Sequence, residues 1–145
     1  MKEGKELAGL LGYQLQMCQI IASIPAREAL MDFDISPARL TALTLIRDNQ
    51  GCTQTALGDK LHVNRSSAMK LVNYLEARGL VRREAGADLR ANALYLTEEG
   101  EALAHLMLAA LGDADRQVLS ALTREEAASL LGLLNKVRQA AEAGQ

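Results

Sequence analysis

Apolar residues recur at intervals of three and four along most of this chain, and that spacing predicts a mainly helical protein. Between residues 64 and 79 they fall on one side of a single helix, at Ala68, Leu71, Val72 and Leu75. Asn64 suits the N-cap of this helix, because its side chain can accept a hydrogen bond from a free amide of the first turn. Gly79 suits its end, since glycine adopts the left-handed conformation without steric cost.

A shorter helix is predicted just before this one, with Thr53 as its N-cap and with Ala56, Leu57 and Leu61 facing inward. The link at residues 62–64 has about the length of a helix-turn-helix turn. After the second helix, apolar residues at 80–81 and at 94 and 96 flank a segment that contains glycine, which predicts a β-hairpin. Helix, turn, helix and hairpin form a winged helix-turn-helix, although a small α+β module without a nucleic-acid role would show the same order.

The side of the second helix that lies opposite its apolar stripe is polar and cationic, and it has no carboxylate before Glu76. Hydrogen-bonding and cationic side chains of this kind contact base edges and phosphates in a major groove. The candidate DNA contacts on the helix are Arg65, Ser66, Ser67, Lys70, Asn73 and Tyr74, and those in the hairpin are Arg83, Asp88 and Arg90.

The formal net charge of −2 is unevenly distributed. Residues 52–90 carry seven cations and four anions, a net charge of +3, whereas residues 1–51 and 91–145 carry −1 and −4. Phosphate binding requires positive charge to be concentrated on one part of a protein. The winged segment is therefore expected to face DNA and the acidic remainder to face away from it.

Residues 36–100 resemble the MarR-type transcriptional regulators. The resemblance is carried by the segments Asp88-x-Arg90, Leu96-Thr97-x-x-Gly100, Asn64–Ser67 and Leu75–Val81. The family usually has an Asp-Pro step before the first aspartate of its wing signature. This chain has Ala85-Gly86-Ala87 there, one residue shorter than the family pattern.

The resemblance implies a sequence-specific DNA-binding homodimer, usually a repressor that a small molecule releases from an inverted-repeat operator. It also implies a ligand pocket between the helical dimer region and the winged segment. The implied effectors are aromatic acids, phenols or related anions, sometimes as coenzyme A thioesters. Candidate ligand contacts are Arg27, Met31, Phe33 and Arg39, which could supply an apolar wall and a cation. Surface ion pairs of the two arginines with Glu28 and Asp34 are the alternative.

The two terminal segments are apolar on more than one side. A helix with this pattern must be buried on those sides, and a chain of 145 residues cannot surround it, so a partner subunit is expected. We therefore expect a dimerisation helix in residues 1–35, a winged helix-turn-helix in 36–100 and further dimerisation helices in 101–145. A monomeric bundle is the alternative.

Local signals predict where the remaining helices begin and are interrupted. Pro25 is expected to kink or break the first helix, and Ser36-Pro37 to start the next one. A long helix should open at Thr97 and weaken at Gly112-Asp113, and a capping box at Thr123-x-x-Glu126 should start the last helix.

No catalytic or metal-binding pattern is present, so we expect neither an enzyme nor a cofactor. The histidines, His62 and His105, fall in different elements, and the two cysteines, Cys18 and Cys52, have neither disulfide nor ligand spacing. Without a membrane-length apolar run or a cleavable signal, a cytoplasmic protein with no membrane partner is expected.

Two further functions remain open as alternatives. Some relatives sense oxidants through a cysteine in the first helix, which would make Cys18 a redox switch, although a buried cysteine that packs as a small apolar residue is the simpler interpretation. The other is a protein-interaction module that kept the winged fold without DNA binding.

Overall fold

The computed structural model describes residues 4–85 and 92–144, and Asn92 by its backbone only. Its elements are α1 (Lys5–Ala8), α2 (Leu11–Ala29), a 3₁₀ turn (Met31–Phe33), α3 (Pro37–Asp48), β1 (Cys52–Thr53), α4 (Gln54–Lys60), α5 (Arg65–Ala77), β2 (Val81–Ala85), β3 (Asn92–Leu96), α6 (Glu98–Val118), a second 3₁₀ turn (Leu119–Ala121) and α7 (Arg124–Ala143). This order confirms the predicted mainly helical winged fold. Two compact units are present, Met1–Pro25 with Asp113–Gln145, and Ala26–Gly112.

The predicted helix starts are confirmed by their hydrogen bonds. The N-cap side chains that accept from the amide three residues further on are Ser36, Thr53, Asn64 and Thr123. At the last of these, the Glu126 carboxylate also accepts from the Thr123 amide at 2.8 Å, which completes the predicted capping box. Caps of this kind each stabilise a helix by about 1 kcal/mol.

The structure bears on three further local predictions. Helix α2 continues through Pro25 to Ala29, so the expected break does not occur and a kink stays a prediction; proline removes one donor and the rest of the helical ladder remains. Helix α6 also continues through Gly112, and the expected weakening there stays a prediction. Ala56, expected to face inward, is exposed, whereas its neighbour Leu57 is buried.

The hairpin is part of a three-stranded antiparallel sheet in the order β1-β3-β2. Val81 pairs with Leu96 and Ala85 with Asn92, which confirms the predicted hairpin. Strand β1 was not predicted, since two residues are too few to show an alternating pattern. The hairpin tip, residues 86–91, lies outside the described residues.

The core of the unit Ala26–Gly112 is built mainly from aliphatic side chains of α3, α5, α6 and the sheet. The largest fully buried side chains are Leu30, Leu40, Leu43, Ile46, Val72, Leu75, Leu94 and Met107. The predicted apolar stripe of α5 contributes to this core, which leaves its opposite side at the surface.

The Leu-Thr-x-x-Gly motif joins the start of α6 to the turn that follows α5. The Thr97 hydroxyl donates to the Gly79 carbonyl at 2.6 Å and accepts from the Gly100 amide at 3.0 Å. Gly79 has the left-handed conformation predicted for it, with φ at 69°. A Cβ on Gly100 would overlap the carbonyl oxygen of Leu80. The motif thus allows two backbone segments to approach more closely than a side chain permits.

In the unit formed by the two ends of the chain, large apolar side chains remain exposed. Those of residues 7–24 are between 43% and 60% exposed, namely Leu7, Leu10, Leu11, Leu15, Ile20, Ile21 and Ile24. Those of α7 are between 38% and 62% exposed, namely Leu130, Leu131, Leu133, Leu134 and Val137. No helix within the described ranges is both long and apolar enough to cross a membrane.

Candidate nucleic-acid interface

Close packing between α4 and α5 fixes the orientation of the second helix. A Cβ built on buried Gly58 would lie 3.1 Å from the Cβ of Ala68, so the two helices meet where both side chains are minimal. The turn between them passes through His62 in the left-handed conformation (φ 53°), and the Val63 amide donates to the Gly58 carbonyl at 3.0 Å. We call α5 the recognition helix, since it is the second helix of a helix-turn-helix.

The outer side of the recognition helix is polar, as the sequence pattern predicted. Its exposed candidate contacts are Arg65, Ser66, Ser67, Lys70 and Asn73. Within the described parts of the chain, neither Arg65 nor Lys70 makes an ion pair. Both cations therefore remain able to bind phosphate or base acceptors.

Arg83 on β2 lies against the recognition helix and is held by three side chains. Its guanidinium forms an ion pair with Glu76 and donates to the Asn73 side-chain oxygen at 2.7 Å. It also donates to the side-chain oxygen of Gln54 at 3.4 Å. We call this group the Arg83 network. Sequence analysis singled out Arg83 and Asn73 individually, but nothing in the sequence indicated that they touch.

Tyr74 has an internal role that the sequence pattern did not indicate. Its hydroxyl donates to the Asp34 carbonyl oxygen at 2.9 Å and accepts from the Arg78 guanidinium at 2.8 Å. The Arg39 guanidinium stacks 3.6 Å from the centre of the ring, a cation–π contact. Both the ring and the hydroxyl are thus engaged within the chain, beside the exposed face rather than free on it.

Several cations of the winged segment are neutralised locally. Arg78 forms an ion pair with Asp34 at 3.2 Å, and Arg82 forms one with Glu84 while stacking over Tyr95. Arg65 and Lys70 of the recognition helix, in contrast, have no ion-pair partner among the residues that the structure describes. Asp88 and Arg90, the predicted wing contacts, lie outside the described residues.

The candidate ligand contacts differ in their surroundings. Arg27 and Met31 are exposed, Met31 at 71%, whereas Phe33 packs against the core. Arg39 stacks on Tyr74, and Asp34, its expected ion-pair partner, instead pairs with Arg78. A separate cavity of about 210 Å³ is lined by Leu45, Asn49, Cys52, Ala56, Leu57 and Lys60.

The two cysteines lie in different environments. Cys18 is exposed on α2, so burial as a small apolar residue does not occur within the single chain. Cys52 is half-buried in β1, and that burial raises the pKa of its thiol, which disfavours the reactive thiolate. No cluster of potential metal ligands occurs among the residues that the structure describes.

Known proteins are similar to this chain in both sequence and fold. The family model described as MarR family matches residues 33–91. A putative transcriptional regulatory protein for the hcr operon of Thauera aromatica is 35% identical over 134 residues, which are 90% of this chain and 80% of that protein. The transcriptional regulator HosA of Escherichia coli O111:H- is 29% identical over 108 residues, 74% of this chain and 80% of HosA.

Two solved structures match nearly the whole chain and contain DNA. The transcriptional repressor CouR bound to a 23-mer DNA duplex aligns with a TM-score of 0.86 and 26% identity, covering 95% of this chain and 99% of CouR. A mutant of Escherichia coli MarR complexed with operator DNA aligns with a TM-score of 0.78 and 26% identity, covering 94% of this chain and 99% of that protein.

A winged helix-turn-helix with a cationic recognition helix defines the class of DNA-binding regulators rather than of enzymes. Because the Thauera protein is 35% identical over 90% of this chain, the chain belongs to the MarR family of transcriptional regulators.

Proposed function

We propose that the protein is a homodimeric repressor that binds an inverted-repeat operator and is released by a small ligand, acting in the cytoplasm where its DNA target lies. The observation that carries this proposal is the recognition helix, whose exposed face presents Arg65 and Lys70 without ion-pair partners among the described residues. The two DNA-bound structural neighbours support DNA as the partner of this face.

The exposed apolar side chains of the terminal helices support a dimer. Patches of this kind on a single chain mark an interaction surface, and residues 7–24 together with α7 carry twelve large apolar side chains that are at least 38% exposed. A two-fold axis through such an interface would relate two recognition helices. Helix-turn-helix dimers of this kind bind half-sites about 34 Å, or roughly 10 base pairs, apart, in inverted orientation.

Release by a ligand requires a link between the effector site and the recognition helix, and we propose that Arg39 is part of that link. Arg39 belongs to the candidate ligand segment and stacks on Tyr74 of the recognition helix. Tyr74 and Arg78 in turn hold the backbone and carboxylate of Asp34. An anionic aromatic ligand that draws Arg39 away from the ring would loosen this attachment. The ligand must bind the DNA-incompetent arrangement more tightly than the DNA-competent one, because equal affinity for the two would leave their populations unchanged.

Replacing Lys70 with alanine should weaken DNA binding without altering the fold, because Lys70 is exposed on the recognition helix. If its ammonium contacts a phosphate, the slope of log K against log salt concentration should fall in magnitude by about 0.9. Fluorescence anisotropy with a selected operator duplex at several salt concentrations measures both effects.

Lys136→Ala is the matched control, since it removes an exposed lysine from α7. It should leave the affinity and the slope unchanged. Equal slopes for the Lys70 variant and the wild type would contradict the assignment of this helix face to DNA.

A further inference from the structure

The Arg83 network fixes which end of the Asn73 amide faces outward, and we propose that this makes Asn73 a specificity-determining residue that selects guanine in each half-site. Arg83 acts through Asn73 and is a positioning residue. This inference rests on the proposed function, because it concerns the bases that the recognition helix would contact.

The orientation of the amide follows from donor and acceptor chemistry. A guanidinium has only donors, so the Asn73 atom that lies 2.7 Å from it must be the amide oxygen. Glu76 pairs with the other terminal nitrogen of the guanidinium, and the Arg83 side chain is only 20% exposed, so it has little freedom to turn away. The NH₂ group of Asn73 is therefore the end left for a ligand.

The oriented amide and Lys70 together form a surface of donors. Asn73 lies three residues after Lys70, so the two side chains are neighbours on the same helix face. A lysine ammonium has three donors and no acceptor. Such a pair complements a base edge that presents two adjacent acceptors.

Guanine is the base that fits this surface. In the major groove it presents N7 and O6, both acceptors, whereas adenine presents the acceptor N7 beside the N6 donor. An asparagine contacts adenine with both amide atoms, but here the Asn73 oxygen is directed at Arg83. Freed from Arg83, the same asparagine could turn and make the adenine contact.

Selection of binding sites from random duplexes tests the inference, followed by affinity measurements on operators that differ at one position. The wild type should prefer guanine over adenine at one position of each half-site by about tenfold, the usual cost of one mismatch. The double variant Arg83→Met/Glu76→Gln frees Asn73 while keeping the net charge, and it should lose this preference or favour adenine there. The salt slope should not change.

A neighbouring ion pair on the same strand supplies the matched control. The double variant Arg82→Met/Glu84→Gln removes the Arg82–Glu84 pair, again without changing net charge, and it should select the wild-type sequence. Asn73→Leu, at an exposed position that the fold tolerates, should abolish the preference at the same base while keeping those at other positions.

Different results would overturn the role of Asn73 and the proposed function as a DNA-binding repressor. A wild type that selects a defined operator, with the same preference in Asn73→Leu and in Arg83→Met/Glu76→Gln, would overturn the role of Asn73 while leaving the regulator intact. A selected operator without a guanine at the affected position would do the same. A wild type that selects no sequence would overturn both the inference and the proposed function.

Discussion

A chain carrying Leu134→Lys should sediment as a monomer and should bind the operator at least about a hundredfold more weakly than the wild type. In the proposed dimer, Leu134 and Leu131 belong to one apolar stripe along α7, and both are exposed in the single chain. A lysine there would place an unpaired charge in the interface, which costs about 3–5 kcal/mol. A monomer retains one recognition helix, and loss of the second half-site moves binding from the specific towards the non-specific range.

Sedimentation velocity over a range of protein concentrations measures the assembly, and anisotropy measures the binding. Gln139→Lys places the same charge at an exposed position of the same helix, which at about 100° per residue is roughly 120° or more around the helix from Leu133, Leu134 and Val137. It should leave the protein dimeric and bound to DNA. The proposed dimer through α7 would be contradicted by a wild type that is a monomer at every concentration, or by a Leu134→Lys variant that remains a dimer.

The features that the sequence predicted well depend on chemistry within a few residues. An N-cap needs only a short polar side chain and the amide three residues later, which is why the helix starts at Ser36, Asn64 and Thr123 were predictable. The exposed polar face of the recognition helix follows likewise from helical geometry and the apolar stripe at its back.

The features that the sequence missed depend on contacts between distant elements. Arg83 meets Gln54 across 29 positions, and the Tyr74 hydroxyl reaches Asp34 across 40. Helical periodicity placed Tyr74 beside the polar face but carries no information about what packs against it. The strand β1 exists only because β3 pairs with it.

The resemblance to the family marked Gly100 as part of a motif but did not explain why glycine is needed there. The explanation is steric, because the first turn of α6 lies against the Leu80 carbonyl, where a methyl group has no room. The Thr97 hydroxyl holds the same two segments together through the Gly79 carbonyl. The motif therefore sets how closely α6 approaches the end of the recognition helix.

Gly100→Ala should lower the free energy of unfolding by about 2–3 kcal/mol, because the new methyl group must displace backbone rather than a flexible side chain. For a chain of this size that corresponds to a fall in Tm of about 5–10 °C. Urea unfolding followed by circular dichroism measures the change, at one fixed protein concentration since dimerisation would add to stability.

Gly112→Ala tests whether the effect is steric. The same substitution is made in the same helix, but a Cβ at Gly112 meets nothing within 4 Å. Alanine has the higher helix propensity, so this variant should instead gain about 0.5–1 kcal/mol. The opposite signs of the two variants are the decisive comparison, because propensity alone predicts a gain for both. A Gly100→Ala chain as stable as Gly112→Ala would mean that α6 can shift away from Leu80 at no cost, and that the motif does not fix the approach of the two segments.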